Sequence, residues 1–224
     1  MKKDRIFWGT VAPLAAVVSS LLLVSVILIL RGANPIDIFQ VMISYGFEPR
    51  NLVSELNQTV SYYLAGVAAA IGFKMLLFNI GIDGQYRMGA FFGAVVGAAV
   101  SLPPVLHVLL IVITAMLAGG LWAAIAGYLK VRRGVSEVIS NIMLNFIAAA
   151  IIAFLLGEDL LGILPEGSQN VQTRPIPLSG QMPTFKIFDG EIYSFVFVAI
   201  FVGIAYWIML NKTVFGFNLR ATGL

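Results

Sequence analysis

The feature that most constrains this chain is a series of long apolar runs, the first of which, Val11–Leu30, contains no charged residue. A helix rises 1.5 Å per residue, so about 20 residues cross roughly 30 Å of hydrocarbon. The run is too long for the apolar region of a secretory signal, which has roughly 7–15 residues. Only 11% of all residues are charged, against about 25% in soluble domains. The sequence therefore predicts a membrane protein.

Further apolar runs predict five more spans, at residues 59–78, 85–102, 105–129, 138–157 and 193–210. The second and third are separated only by a short polar stretch, which predicts a helical hairpin with a tight turn. Residues 34–58 contain two prolines and several charges, and we expect an amphipathic segment on the outer surface. Residues 158–191 predict an external loop with little regular structure. The fold class is thus all-α and polytopic, with about six transmembrane helices.

The distribution of basic residues predicts the orientation, because cytoplasmic loops are enriched in Lys and Arg. With the amino terminus in the cytoplasm and six alternating spans, ten of the 14 basic residues lie on or near the inner side. These are Lys2, Lys3, Arg5, Lys74, Arg87, Lys130, Arg132, Arg133, Lys212 and Arg220. The inverted arrangement would place the basic loop after residue 129 outside, so we expect the first orientation.

Several chemistries are excluded or disfavoured by composition. The chain has no Cys, one His and no phosphate-binding loop pattern. We expect no metal, no cofactor and no enzymatic activity, and we expect His107 to be structural. The basic residues fall between apolar spans, so no nucleic-acid surface is predicted. If the protein performs work, the energy must come from an ion gradient or a partner.

A polar stretch interrupts the apolar sequence at residues 79–85, where Asn79, Asp83 and Gln85 stand near two glycines. An isolated carboxylate in the bilayer costs at least about 2.5–3.5 kcal/mol. Two interpretations remain open. The segment is either a broken helix that lines a cavity, or a cytoplasmic turn in which Arg87 or Lys74 neutralises Asp83.

A second polar pattern places Glu137, Asn141 and Asn145 four residues apart, on one face of the fifth predicted span. Such a face is typical of a wet pathway or a polar contact between helices. Alternatively, Glu137 pairs with Arg132 or Arg133 at the interface.

Small residues also recur every four positions on the third span, at Gly89, Gly93 and Gly97. This spacing makes a smooth helix face that a neighbouring helix can approach closely. We interpret it as helix packing without a role in transport.

Three sequence blocks resemble a known family. They are FNIGIDGQ at residues 78–85 with MGA at 88–90, GVSEVISNIMLN at 134–145, and TVFG at 213–216 with LRATG at 219–223. The blocks resemble the ABC-importer permeases of bacteria that import sugars, nucleosides and branched-chain amino acids. The second block is most similar to the nucleoside branch, with simple sugars as related substrates.

The resemblance implies a single permease domain over residues 1–224, in the bacterial cytoplasmic membrane. It implies three kinds of partner besides the lipid bilayer: a second permease subunit, cytoplasmic ATP-binding subunits and an extracytoplasmic substrate-binding lipoprotein. The implied substrate-pathway residues are Asn79, Asp83, Gln85, Glu137, Asn141 and Asn145. The implied ATPase-coupling residues are Thr213, Gly216, Arg220 and Gly223.

Two departures and several alternatives accompany the resemblance. The family usually has Glu at the position of Asp83, and its members continue beyond the coupling segment in which this chain ends, so we expect a carboxy-terminal truncation. The alternatives are a branched-chain amino acid or ribose-type ABC permease, an ion-coupled secondary transporter, and an assembly protein that does not transport.

Overall fold

A computed structural model describes residues 2–75, 77–157 and 160–222. This part of the chain is mainly helical, as predicted. Its eight α-helices are α1 (Lys2–Leu30), α2 (Pro35–Gly46), α3 (Pro49–Lys74), α4 (Ile82–Ala99), α5 (Pro104–Arg133), α6 (Glu137–Leu155), α7 (Phe195–Lys212) and α8 (Val214–Thr222).

Four of these helices, α1, α5, α6 and α7, are long and apolar enough to cross a bilayer. Helices α3 and α4 coincide with the other two predicted spans, but α3 begins at Pro49, ten residues before the apolar run. Proline is well tolerated in the first turn of a helix, where its missing N–H has no partner to lose. The number of spans and the orientation remain predictions.

Residues 1–54 and 188–190 form one compact unit, which contains α1, α2 and the first residues of α3. Helix α2 corresponds to the amphipathic segment predicted after the first helix. Asn34 caps it, since its side-chain oxygen accepts a hydrogen bond of 3.1 Å from the Ile36 N–H. Pro35 follows at the first helical position. The local sequence therefore accounts for the start of this short helix.

Residues 55–187 and 191–224 form the second unit, in which α4 packs principally on α5 and α6. The glycines of α4 face α5. A Cβ atom on Gly89 would lie 2.9 Å from the Ala115 carbonyl oxygen, and one on Gly93 would lie 3.3 Å from the Ala115 Cβ. On Gly97 it would lie 2.8 Å from the side chain of Ile111. The two helix backbones thus approach closely along these glycines.

The segment between α6 and α7 has more regular structure than predicted. It contains strands β1 (Gly162–Ile163) and β2 (Gln172–Thr173), which pair antiparallel, and β3 (Thr184–Ile187) and β4 (Gly190–Tyr193), which form a second pair. A 3-10 helix (Leu178–Gly180) lies between the pairs. Strands of two to four residues carry too little alternation of apolar and polar residues to be recognised in a sequence.

His107, near the start of α5, ties this segment to the helices. The residue is fully buried. Its Nε2 atom lies 2.9 Å from the Gly97 carbonyl oxygen, and its Nδ1 atom lies 2.8 Å from the Ser179 hydroxyl. A carbonyl oxygen can only accept, so Nε2 carries a hydrogen. These contacts agree with the structural role expected for His107.

Candidate functional site

The break between α3 and α4 is held together by amide side chains. Asn79 and Gln85 pair reciprocally, since the Asn79 Nδ2 donates to the Gln85 Oε1 at 3.2 Å and the Gln85 Nε2 donates to the Asn79 Oδ1 at 2.9 Å. The Asn79 Oδ1 also accepts from the Gly81 N–H at 3.2 Å. These bonds satisfy polar groups that a non-helical segment would otherwise leave unpaired.

Helix α6 supplies the remaining partners of the break. Gly81, the capping residue of α4, has no side chain to cap with, and the Asn145 Oδ1 instead accepts from the Gly84 N–H at 2.9 Å. Asn145 also donates from Nδ2 to the Ile80 carbonyl oxygen at 3.1 Å. Asn145 therefore caps α4 from a different helix.

Asn141, one turn earlier on α6, makes a weaker contact of the same kind. Its Nδ2 donates to the Phe78 carbonyl oxygen at 3.5 Å, the outer limit for a hydrogen bond. We refer to Asn79, Gln85, Asn141 and Asn145 together as the amide bracket. Every hydrogen bond just described joins the bracket to itself or to the backbone of the break.

The break lies within the helical bundle and not at its end. A Cβ atom on Gly84 would lie 3.2 Å from the Nε1 of Trp122, so the first turn of α4 is level with Trp122 of α5. Helix α5 continues for eleven more residues, to Arg133, which is about 16 Å at 1.5 Å per residue. Helix α4 therefore begins well before the end of α5, and its irregular start is covered by the neighbouring helices, as irregular backbone within a membrane must be unless it lines a cavity.

A cavity of about 290 Å³ lies beside the break, on the side of the helix ends. Its wall includes the side chains of Glu137 and Lys130, which form an ion pair of 2.7 Å between Oε2 and Nζ. Asn79, Gln85 and Asn141 also line it. The pairing differs from the predicted alternatives, Arg132 and Arg133, because α5 and α6 meet one turn earlier on α5.

Asp83 lies apart from the other predicted pathway residues. Its two carboxylate oxygens each accept from the Nε of Arg87 at 2.9 Å, and the two side chains are 56% and 53% exposed. The pairing with Arg87 is the one suggested by the turn interpretation. The start of α4 before the end of α5 is a feature expected from the broken-helix interpretation. The structure thus combines parts of both.

The predicted coupling residues surround the junction of α7 and α8. Thr213 caps α8, since its Oγ1 accepts from the Gly216 N–H at 3.0 Å. A Cβ atom on Gly216 would overlap backbone carbonyls of α7, so the close approach requires glycine. Arg220 reaches back to the Oδ1 of Asn211 at 3.3 Å. Gly223 lies outside the described residues.

Residues 51–224 match the family described as branched-chain amino acid transport system / permease component. The chain belongs to this permease family. Membership agrees with the apolar helices and makes the chain a multi-pass protein of the cytoplasmic membrane.

Three similar proteins have names that describe transport components. The guanosine ABC transporter permease protein NupP of Bacillus subtilis is 32% identical over 94% of this chain and 60% of its own length. The glucose ABC transporter permease protein TsgB13 of Haloferax volcanii is 30% identical over 96% of this chain and 58% of its own length. The nucleoside ABC transporter permease protein NupB of Lactococcus lactis is 28% identical over 95% of this chain and 60% of its own length.

This permease chain thus spans about 60% of the length of the curated relatives it matches. No solved structure matches it.

Sequence reasoning did not connect several residues of this permease with the site. Lys130 was assigned to a basic loop, although it lines the cavity and pairs with Glu137. The Nε1 of Trp122 is buried beside Gly84 without a hydrogen-bond partner in the described part of the chain. Ser61 and Tyr86 line cavities on the Asp83 side of the break. A signal exists for Tyr86 alone, since it follows Asp83 by about one helical turn.

Proposed function

We propose that this chain forms part of the membrane-spanning subunit of an ATP-driven ABC importer, which moves nucleosides across the cytoplasmic membrane. The observation that carries the proposal is the similarity to a guanosine and a nucleoside permease protein over more than nine tenths of the chain. The same similarity supports a transport component and not an enzyme.

The geometry of the break supports transport by alternating access. Discontinuous helices are a recurring feature of transporters that bind substrates near the bilayer midplane, and the break between α3 and α4 resembles one. The amide bracket joins the break to α6 and close glycine contacts join α4 to α5, so α4, α5 and α6 can move as one body. A ligand or partner that binds two such states unequally then shifts the equilibrium between them.

Partners must supply the energy, because the sequence has no phosphate-binding loop pattern. We propose cytoplasmic ATP-binding subunits that dock on α8 through the surface around Thr213, Gly216 and Arg220, with Gly223 beyond it. We further propose a second permease subunit and an extracytoplasmic binding lipoprotein. A fixed turn between α7 and α8 suits docking, since a rigid connection transmits movement to the spanning helix.

A simple sugar is the second candidate substrate. The glucose permease protein of Haloferax volcanii is 30% identical over 96% of this chain, which is close to the figure for the guanosine permease protein. Competition experiments separate the two candidates.

The proposal is tested by uptake of radiolabelled guanosine in cells without their own nucleoside uptake, which express this chain with the transport genes that flank it. We expect uptake that depends on the ATP-binding subunit and is competed by other nucleosides, but not by glucose, ribose or leucine. Glu137→Ala should reduce it severalfold, because Lys130 loses its partner. Glu166→Ala, in the exposed segment before α7, is the matched control.

Two results would count against the proposal. Uptake that persists without the ATP-binding subunit would indicate an ion-coupled transporter. Competition by glucose or leucine, but not by nucleosides, would reassign the substrate.

A further inference from the structure

The side chain of Asn57 joins the amino-terminal half of α3 to the end of β4. Its Nδ2 atom donates to the Glu191 carbonyl oxygen at 2.8 Å, and its Oδ1 atom accepts from the Tyr193 N–H at 3.1 Å. A carbonyl and an N–H that are two residues apart point to the same edge of a strand. The Asn57 amide therefore pairs with β4 as a neighbouring strand would, and the two bonds fix the direction of the contact.

The end of β4 is in turn held to α7. Tyr193 is followed directly by Ser194, the capping residue of α7, so no linker separates the strand from the helix. The Ser194 N–H donates to the Pro183 carbonyl oxygen at 3.1 Å. Phe185 of β3 packs edge-on against Phe197 in the first turn of α7, with ring centroids 5.8 Å apart. A bond from α3 to this strand therefore also positions α7.

A second contact between α3 and α7 lies at Tyr63, six residues after Asn57. A Cβ atom on Gly203 of α7 would overlap the Tyr63 hydroxyl, so the missing side chain makes room for the tyrosine. Around these contacts the two helices line an apolar cavity of about 620 Å³, whose wall includes Val60 and Val196. Helices α3 and α7 are thus held at points and not along a packed face.

The segment before α7 passes from one group of helices to another. Its 3-10 helix is bonded to α5, since Ser179 contacts His107 at 2.8 Å. Gln181 bonds back to the Ile176 carbonyl oxygen at 3.0 Å. From Pro183 onward the contacts described above run to α7 and α3. The α4–α6 body and the α7 side therefore meet in this segment near Met182.

The other end of α7 is joined to α8. A Cβ atom on Gly216 would overlap backbone carbonyls of α7, and Arg220 donates to the Oδ1 of Asn211 at 3.3 Å. A displacement of α8 must therefore displace α7. Through Asn57 it also reaches α3, whose far end precedes the break.

We propose that Asn57, supported by Tyr63, is a positioning residue that makes α3 follow α7, so that movement of α8 is transmitted to the break. The proposal rests on the proposed function for the force, because ATP-binding subunits would apply it at α8. It divides the helices from α3 to α8 into two groups. Helices α4, α5 and α6 form one, and α7, α8 and the amino-terminal half of α3 form the other.

A local test measures hydrogen exchange at two neighbouring amides in the purified chain. In Asn57→Leu the Tyr193 N–H loses its acceptor and should exchange at least about tenfold faster. The Ser194 N–H keeps its bond to Pro183 and should exchange at the parental rate. Asn57→Asp retains an acceptor and should protect Tyr193 better than Asn57→Leu does. Gln58→Leu, one residue along α3, is the matched control and should change neither amide.

A second test measures movement, and it uses the absence of cysteine from the chain. Pairs of cysteines carry spin labels at three exposed positions, Tyr62 of α3, Leu121 of α5 and Phe201 of α7. In the assembled importer, ATP should change the distances from Leu121 to both other labels by at least about 2 Å. The distance between Tyr62 and Phe201 should stay constant. In the double variant Asn57→Leu/Tyr63→Leu it should change, because α7 then moves without α3.

Four outcomes would overturn the proposal. Unchanged exchange at Tyr193 in Asn57→Leu would show that the bond is not maintained. Faster exchange at both amides would make Asn57 a stabiliser of the strands and not a link between helices. A distance between Tyr62 and Phe201 that changes with ATP in the parent would show that α3 and α7 move separately. A constant distance in the double variant would assign the link to other residues.

Failure of the proposed function gives a different result, in which ATP changes none of the three distances. The link is then judged on the chain without partners. There the distribution of distances between Tyr62 and Phe201 should be broader in the double variant than in the parent, and equal widths would refute the link independently of ATP.

Discussion

Asn145→Leu tests whether the break is held from α6. The substitution removes the acceptor of the Gly84 N–H at 2.9 Å and the donor to the Ile80 carbonyl oxygen at 3.1 Å. Hydrogen bonds between membrane helices contribute about 0.6 kcal/mol on average and about 1.7 at most. Both lost bonds involve backbone groups that have little access to water. We therefore expect a loss of about 1–3 kcal/mol in the free energy of unfolding.

Two further variants are expected to lose less stability than Asn145→Leu. Asn141→Leu removes one bond of 3.5 Å and should cost less than Asn145→Leu. Asn170→Leu makes the same chemical change in the segment before α7, where the hydrogen bonds of Asn170 involve its backbone and Ser168. It should change stability by less than about 0.5 kcal/mol.

The assay is equilibrium unfolding in detergent or lipid micelles, followed by circular dichroism or by steric trapping of the unfolded chain. Equal stabilities for the three leucine variants would refute the claim that Asn145 caps α4. A large loss for Asn141→Leu alone would show that the weaker contact is the important one.

Three other predictions concern packing and orientation. Gly89→Ala should destabilise the protein by about 1–3 kcal/mol, because its Cβ would press on the Ala115 carbonyl, whereas Gly120→Ala, with open space, should be neutral or stabilising in the same unfolding assay. His107→Leu should speed hydrogen exchange in the 3-10 helix before β3, as measured by mass spectrometry, because that segment loses a bond to the ring. Lys212→Cys should be labelled by an impermeant reagent only after the cytoplasmic side is opened, and labelling from outside would reverse the orientation.

The helices were largely predictable because apolar runs longer than about 18 residues have few alternatives in a membrane protein. The exceptions are segments that form a helix although their composition is too polar for a membrane span. The first turns of α3 contain Arg50 and Glu55, which argue against a span but not against a helix. The length of a helix and the length of its membrane-spanning part are different quantities, and an apolar run reports only the second.

The polar face of α6 was also predictable, from the four-residue spacing of Glu137, Asn141 and Asn145. Its partners were not, because Asn141 and Asn145 bond to backbone atoms of Phe78 and Ile80, more than 60 residues earlier. Side-chain bonds to a distant backbone leave no pattern in residue types. Only the irregular backbone of the break creates the unpaired groups that these amides satisfy.

The placement of Asp83 illustrates a different limit. Asp83 and Gln85 were grouped as one polar stretch, yet both lie in the first turn of α4, where two residues differ by about 200° around the axis. Had the helix been started at Ile82, the sequence would have separated them onto opposite faces. Of the two glycines in this stretch, Gly81 precedes α4 and Gly84 is the third residue of the helix, whose first turn is capped by Asn145.

The two faces of α4 also suggest which element moves. One face is fixed to α5 by close glycine contacts and to α6 by Asn145, so α4 has little freedom relative to them. The other face borders a cavity of about 480 Å³, whose second wall is α3. Helix α3 ends at Lys74 and α4 begins at Ile82, so residues 75–81 connect the two helices. We therefore expect the width of this cavity to change by movement of α3 against a stationary α4–α6 body. Distances between spin labels on α3 and α5 should then change on addition of ATP, whereas those between α4 and α5 should not.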